Sequence, residues 1–238
     1  MFGWLNKNRG AALAGQDIIP VIAIDGPSGS GKGTISRRVA RTLGYHLLDS
    51  GALYRLVALA AEDACSSLQN TECLQDLARK LDVRFEASDT GKERVWLGGQ
   101  DVTERLRTEE TGAGASIVAQ IPAVREALLD RQKEFRKPPG LVADGRDMGS
   151  QVFPDATLKI YLTASAEERA KRRYKQLKDK GLDVSLAALS RDIENRDRRD
   201  SERTLAPLKP AMDARLLDTT GQSIEAVTKT VLDWVAEL

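Results

Sequence analysis

A glycine-rich segment constrains this chain more than any other feature of its sequence. Residues 26–34 read GPSGSGKGT; the apolar run Val21–Asp25 precedes them and a helical pattern follows. Gly26, Gly31 and Lys32 match the spacing Gly-x-x-x-x-Gly-Lys, in which glycines let several backbone N–H groups converge on one anion. The helix N-terminus and the lysine add positive charge at the same point. The segment therefore predicts a nucleoside triphosphate site between a buried strand and a helix.

One position of this segment departs from the general pattern. Gly33 stands where serine or threonine is usual, and Thr34 follows one position later. This Gly-Lys-Gly-Thr ending resembles that of nucleoside monophosphate kinases more than that of GTPases or motor ATPases. An ordinary glycine-rich turn is the alternative, and the flanking strand, helix and lysine argue against it. The residues expected to contact ATP here are Gly26, Pro27, Ser28, Gly29, Ser30, Gly31, Lys32, Gly33 and Thr34.

Length and charge limit the classes of function. A chain of 238 residues can bury one α/β core with insertions. Lysine and arginine total 36 against 35 acidic residues, so no net field draws the protein onto nucleic acid or a membrane. No apolar run approaches the roughly 18 residues that span a bilayer. We expect a cytoplasmic monomer without nucleic-acid or membrane partners.

The cysteines and the histidine give weaker signals. Cys65 and Cys73 lie in a helical region without metal-ligand spacing, which indicates a reducing compartment and neither a disulfide framework nor a zinc site. His46 is the only histidine and begins a predicted strand, so we interpret it as structural.

The order of apolar strands and amphipathic helices predicts a three-layer α/β sandwich with a central parallel sheet. Buried strands are expected at 21–25, 45–49, 141–144, 158–162 and 214–218. Helices are expected after the glycine-rich segment, from 50 to 65, around 74–81, at 109–120 and 122–135, from 165, at 185–203 and at 224–234.

Between these helices the sequence pattern changes. Val83 and Phe85 alternate with polar residues, 88–91 signals a turn, and the apolar run 95–97 ends at two glycines. This pattern is typical of a β-hairpin. We therefore predict an antiparallel insertion at about 64–107.

The arginine-rich stretch 196–203 allows two interpretations. At 3.6 residues per turn, Arg196, Arg199, Asp200 and Arg203 share one helix face. The stretch is either a solvated helix laced with ion pairs or a cationic face that closes over phosphate. Three arginines around one carboxylate exceed what pairing within the helix needs, which favours the second.

From about residue 20 to the C-terminus the chain resembles bacterial cytidylate kinases, a family of nucleoside monophosphate kinases. The motifs that carry the resemblance are IDGPSG (24–29), LDSGALYR (48–55), LDVRF (81–85), VREALL (124–129), ADGRDMG (143–149), VFPD (152–155) and APL (206–208). It implies a P-loop kinase domain over 18–238, with an NMP-binding insert at about 64–107 and a short helical lid at about 183–205. Residues 1–17 lie outside it and are expected to be a flexible extension.

The resemblance also implies an activity and roles for individual residues. It implies transfer of the γ-phosphoryl group of ATP to CMP or dCMP, with Mg²⁺ as cofactor. The residues implied for CMP are Arg55, Arg146 and Arg203 at the phosphate, Ser116, Arg125 and Asp147 at cytosine, Arg196 and Asp200 at the sugar, and Ser50 and Tyr54 beside them. Arg169 and Arg173 are implied along adenine and the ATP phosphates. Lys32, Arg146, Arg173 and Arg203 are the expected catalytic residues, and Thr34 and Asp144 the expected metal residues, directly or through water.

Three alternatives remain open at this point. Another P-loop small-molecule or nucleotide kinase would keep the same loop. A non-catalytic ATP-binding switch would not need the second set of polar residues around Arg125 and Asp147. An RNA-binding patch on the arginine-rich stretch is disfavoured by the interleaved acidic residues.

Overall fold

A computed structural model describes residues 19–64, 67–68, 70–87, 93–179 and 181–238. In chain order its strands are β1 (Val21–Asp25), β2 (His46–Asp49), β3 (Val83–Ala87), β4 (Glu93–Leu97), β5 (Gln100–Asp101), β6 (Leu141–Gly145), β7 (Leu158–Thr163) and β8 (Arg215–Asp218). Its helices are α1 (Lys32–Leu43), α2 (Ser50–Ala64), α3 (Thr71–Arg79), α4 (Glu109–Val118), α5 (Pro122–Lys133), α6 (Ala166–Lys178), α7 (Leu186–Ser201) and α8 (Ile224–Ala236).

The described strands of the central sheet run parallel in the order β2-β6-β1-β7-β8. β1 and β6 are buried along their whole length, as expected for strands covered on both faces. β1 lies in the middle, and the chain crosses to opposite sides of it after β1 and after β6. Ligands of open α/β sheets bind at the carboxyl ends of the strands beside such a switch point. The glycine-rich loop follows β1 at this place.

Alternate residues of β1 contact two hydrophobic cores. Val21 and Ala23 pack in one core with residues of α2 to α5, whereas Ile22 and Ile24 pack in the other with residues of α1 and α8. The side chains of one strand therefore join helices on both faces of the sheet. This arrangement confirms the predicted three-layer fold with a parallel sheet.

The predicted hairpin is part of a separate antiparallel sheet, in which β4 pairs with β3 and with β5. β5 was not predicted because it contains two residues and follows directly on Gly98 and Gly99, which both have positive φ. The predicted turn at 88–91 lies outside the described residues.

Two details near the strand ends differ from the expectation. A π-helical turn, Met148–Val152, follows β6 where only a loop was expected. α7 ends at Ser201, so Arg203 lies beyond the helix and not on its last turn. Its backbone is instead held near the helix because Leu208 N–H donates to the carbonyl of Asp200, at 2.8 Å.

The interpretation of the cysteines requires a correction. Cys73 is disulfide-bonded, whereas the sequence analysis had rejected a disulfide framework; Cys65 lies outside the described residues. The spacing argument excludes a small domain with several bridges but not one bridge on a large α/β core. Among the described helices, none is long and apolar enough to cross a membrane.

Candidate functional site

The conformation of the glycine-rich loop explains its glycines. Gly26 has φ +153°, and a Cβ at this position would lie 2.0 Å from the carbonyl oxygen of Leu162 in β7. Gly29 and Gly31 have φ +79° and +90°. L-amino acids with side chains disfavour these conformations, so the loop path depends on glycine.

Distant side chains hold the carbonyl oxygens of this loop. Arg169 Nη1 donates to the carbonyl of Ser28 at 3.1 Å, and Thr219 Oγ1 donates to that of Ser30 at 3.1 Å. Arg172 Nη1 donates to Thr219 Oγ1 at 2.9 Å, which secures the second of these contacts. The loop is therefore fixed by α6 and by the residues that follow β8.

Lys32 and Asp144 form a buried pair of opposite charges at the carboxyl end of the sheet. Burial lowers the pKa of Lys32 to about 7, helped by Arg146 and opposed by Asp144. Burial also raises the pKa of Asp144 to about 7, opposed mainly by Lys32. Lys32 Nζ donates to the carbonyl of Pro27 at 3.1 Å. Since burial disfavours the ammonium, an anion in the loop would restore its charge.

Asp144 also accounts for the unusual Gly33. A Cβ at position 33 would lie 3.1 Å from Asp144 Oδ2, closer than ordinary van der Waals contact. Asp49 ends β2 directly opposite Asp144 in the strand register. The side chain that other phosphate loops carry at this position is therefore replaced by space beside a carboxylate.

Cavities of about 820 and 460 Å³ meet at the loop. The larger is bounded by α6 and α7, and the smaller extends to Phe85 and Val95 of the antiparallel sheet. The residues that line both, called the shared wall below, are Ser28, Lys32, Gly33, Arg37, Arg55, Arg173 and Arg196. Five of these seven carry cationic side chains, so both cavities converge on positive charge.

A second cationic group surrounds Asp200. Arg146 Nε donates to Asp200 Oδ2 at 3.0 Å, and Arg203 Nε donates to the Asp200 carbonyl at 3.2 Å. Burial would raise the pKa of Asp200, but three neighbouring arginines together hold it below its ordinary value. Burial and Arg146 lower the pKa of Arg196 to about 9. The positive charge here exceeds what one carboxylate balances.

Several buried guanidinium atoms of this group have spare hydrogen-bonding capacity. Nη2 of Arg203 and Nε of Arg196 and Arg199 have no hydrogen-bond partner among the described residues. Buried polar groups are usually paired, because an unpaired one costs free energy. An anionic ligand would supply the missing acceptors.

The residues expected at cytosine also lie together. Arg125 forms an ion pair with Asp147, which is almost fully buried, and its guanidinium lies 5.8 Å from the centre of the Tyr54 ring. Burial raises the pKa of Tyr54 to about 12, so this phenol stays protonated. The buried Ser116 Oγ has no partner among the described residues. This group offers a donor and an acceptor beside an aromatic ring.

Other expected site residues contact protein groups. Ser50 Oγ donates to Gln132 at 2.7 Å, and Arg55 Nη1 donates to the Leu106 carbonyl at 2.7 Å. The remaining contacts are those of Arg173, which forms an ion pair with Glu109, and of Arg169, whose two terminal nitrogens bind Asp197. These side chains are positioned around the cavities by partners from other elements.

Sequence reasoning missed the residues that hold the loop. Arg172 was noted only as part of an arginine-rich helix, and Thr219, Asp197 and Glu109 were not singled out. The sole signal was that Arg172 lies between two expected ATP residues. Thr219 is separated from Ser30 by 189 positions, so no local pattern connects them.

The comparisons with known proteins agree with this geometry. A profile of the family described as cytidylate kinase matches residues 22–237. A cytidylate kinase of Pseudomonas paraeruginosa is 61% identical over 215 residues, which cover 90% of this chain and 94% of that protein. A cytidylate kinase of Pseudomonas putida is 59% identical over 223 residues, which cover 93% and 98%. Among solved structures, TT1252 from Thermus thermophilus covers 92% of this chain and 98% of its own at 22% identity, with a TM-score of 0.42, too low to add to the assignment. The chain belongs to the cytidylate kinase family.

Proposed function

We propose that this kinase transfers the γ-phosphoryl group of ATP to CMP and dCMP, and releases CDP or dCDP and ADP. The shared wall supports this most directly, because it places one set of cations at the junction of two cavities. Membership of the cytidylate kinase family supports the choice of acceptor. We further propose that the enzyme acts as a cytoplasmic monomer, which sedimentation of the purified protein would test for the oligomeric state.

The main obstacle to this reaction is electrostatic, since two polyanions must approach end to end. The second pKa of a phosphate monoester is about 6, so the CMP phosphate is largely deprotonated at neutral pH and needs no strong general base. Lys32 and Arg173 are proposed to hold the donor phosphates, with Arg169 beside them. Positioning and charge stabilisation then supply most of the catalysis, as in other phosphoryl transfers.

On the acceptor side, Arg55, Arg146 and Arg203 are proposed to bind the CMP phosphate. A planar guanidinium can donate to two phosphate oxygens at once, which a lysine cannot do with fixed geometry. Arg196 and Asp200 are proposed to bind the sugar, with Ser50 and Tyr54 nearby. The unpartnered Nη2 of Arg203 supports its role.

Specificity for cytosine is proposed to come from Asp147, Arg125 and Ser116. The Asp147 carboxylate accepts from the N4 amino group of cytosine, and Arg125 donates to the acceptor edge of the ring. Uracil presents O4 instead, so two acceptors would face each other at a cost of about 1–3 kcal/mol. The ion pair of Arg125 with Asp147 supports the scheme because it keeps both groups in one place.

The residues at the strand ends fit a phosphate-bound Mg²⁺. Mg²⁺ is held by one or two carboxylates together with substrate phosphates, and Asp144 and Asp49 lie opposite each other beside the loop. The raised pKa of the buried Asp144 also favours a cation at this carboxylate. Thr34, which lines the larger cavity, and Asp144 are therefore proposed as its protein contacts, directly or through water. Mg²⁺ bound there would neutralise charge on the donor phosphates.

A coupled assay of ADP release with CMP, dCMP, UMP and AMP tests the proposal. We expect turnover of CMP and dCMP, with UMP at least about tenfold lower in kcat/KM. Equal turnover of CMP and UMP would contradict the cytosine assignment. Release of ADP with a different small-molecule acceptor, and not with CMP, would favour another P-loop kinase activity.

A further inference from the structure

Asp25 is a buried carboxylate beside both halves of the site, and none of the roles above uses it. It is the last residue of β1 and directly precedes Gly26, where the phosphate loop begins. Only 5% of its surface is exposed. A buried charge of this kind needs partners that justify its position.

Both carboxylate oxygens of Asp25 accept backbone hydrogen bonds from one short segment. Oδ1 accepts from the N–H of Met148 at 2.8 Å, and Oδ2 accepts from the N–H of Gly149 at 2.9 Å. These groups begin the π-helical turn, and the first N–H groups of any helix lack partners within it. Asp25 therefore holds the turn at two adjacent points.

The segment held by Asp25 directly follows the residues proposed for the acceptor. The parallel ladder between β1 and β6 ends where Asp25 lies opposite Gly145. Arg146 and Asp147 come next, and both leave the sheet. The two hydrogen bonds to Asp25 are thus the first backbone contacts to the β1 end beyond that ladder.

We propose that Asp25 is a positioning residue for acceptor recognition, which fixes Arg146 and Asp147 relative to the phosphate loop through the N–H groups of Met148 and Gly149. The inference rests on the proposed function, since it takes Arg146 and Asp147 as CMP-binding residues. Through this one carboxylate, the strand that carries the donor loop also sets the place of the acceptor.

Asp25→Asn tests the proposal with little change in side-chain volume. The amide oxygen can keep one hydrogen bond, but its NH₂ then faces the other N–H, donor against donor. We expect KM for CMP to rise about tenfold or more and the CMP:UMP ratio of kcat/KM to fall, while KM for ATP changes less than about threefold. A purely structural carboxylate would reduce the folded fraction, and hence apparent kcat, without changing KM for CMP or that ratio. That result would overturn the proposal.

Thr219→Val is the matched control on the donor side. Thr219 is also buried and also bridges elements, with its Oγ1 bonded to the carbonyls of Ser30 and Thr163. We expect this variant to raise KM for ATP and to leave the CMP:UMP ratio unchanged. If both variants lowered the ratio equally, general loosening would explain the effect and the proposal would fail.

Asp147→Asn separates this inference from the proposed function. If Asp147→Asn leaves KM for CMP and the CMP:UMP ratio unchanged, the cytosine assignment fails and takes the inference with it. If it changes them and Asp25→Asn does not, the positioning role alone is wrong. In the Asp147→Asn background, Asp25→Asn should lower the CMP:UMP ratio by less than about twofold, because the two act through one contact. Should Asp25→Asn not fold, Asp25→Ser, whose side chain is too short to reach both N–H groups, is measured in the same comparison.

Discussion

The phosphate loop and the arginine cluster around Asp200 both offer positive charge to phosphates, but they are built differently. The loop owes its shape to glycine conformations and to carbonyl oxygens held by Arg169 and Thr219. The cluster consists of long side chains, and buried nitrogens of Arg196 and Arg203 have no partner among the described residues. The donor half is thus rigid backbone, whereas the acceptor half is side-chain charge waiting for a counter-ion.

This contrast predicts that backbone changes matter most in the loop. Gly26→Ala places a methyl group 2.0 Å from the Leu162 carbonyl, and we expect the free energy of unfolding to fall by at least about 4 kcal/mol. Gly44→Ala is the control, since Gly44 has φ +68° with nothing within 4 Å of the added Cβ. It should cost only about 1–2 kcal/mol, from the left-handed conformation. Similar losses in denaturant titrations of the two variants would contradict the steric argument.

Loss of charge from the loop should be the next largest effect. Lys32→Met should lower kcat by about 10²–10³-fold, because it removes one preorganised charge from the transferring phosphates. Lys80→Met, at an exposed lysine paired with Asp76, should leave kcat unchanged. The measurement is steady-state ADP release at saturating ATP and CMP. A Lys32→Met enzyme within about threefold of wild type would remove Lys32 from the site.

On the acceptor side we expect a loss of rate with little loss of stability. Arg203→Ala should lower kcat at least about tenfold, with a small change in Tm, because Nη2 of Arg203 has no partner to lose among the described residues. Arg191→Ala, at an exposed position of α7, is the control and should change neither. A large drop in Tm with normal kcat would assign Arg203 to the fold instead.

The smallest effect expected concerns pH. Burial raises the pKa of Asp25 to about 6, against the lowering effect of its two backbone hydrogen bonds. The folded state then binds more protons than the unfolded state between about pH 4 and 6, so this carboxyl contributes less stability as pH rises through that range. The Tm of wild type minus that of Asp25→Asn should fall between these pH values and become flat above them. A difference that rises with pH would show that the two hydrogen bonds outweigh burial.

The sequence was sufficient for features that depend on local pattern. The phosphate loop, the strands of the parallel sheet and the order of the helices follow from glycine spacing and apolar periodicity, and the structure has them within a few residues. The roles of Arg125 and Asp147 came from family resemblance and remain predictions. Their ion pair joins α5 to the segment after β6, which periodicity cannot reveal.

Contacts between distant segments could not be predicted. Arg169 is 141 positions from Ser28, and only the folded chain brings its guanidinium to the loop. Arg173 was expected at phosphate, and its ion pair with Glu109 depends on how α6 meets the start of α4. The two-residue strand β5 is too short to leave a periodic pattern.

The shared wall has a practical consequence for ligand design. Because the same cations border both cavities, adenosine and cytidine tethered by a chain of phosphates could occupy both at once. Such a tether would make the second binding event intramolecular, so its affinity should exceed that of either nucleotide by far more than the added contacts suggest. The length of the phosphate chain that binds most tightly would measure the gap that the transferred group has to cross.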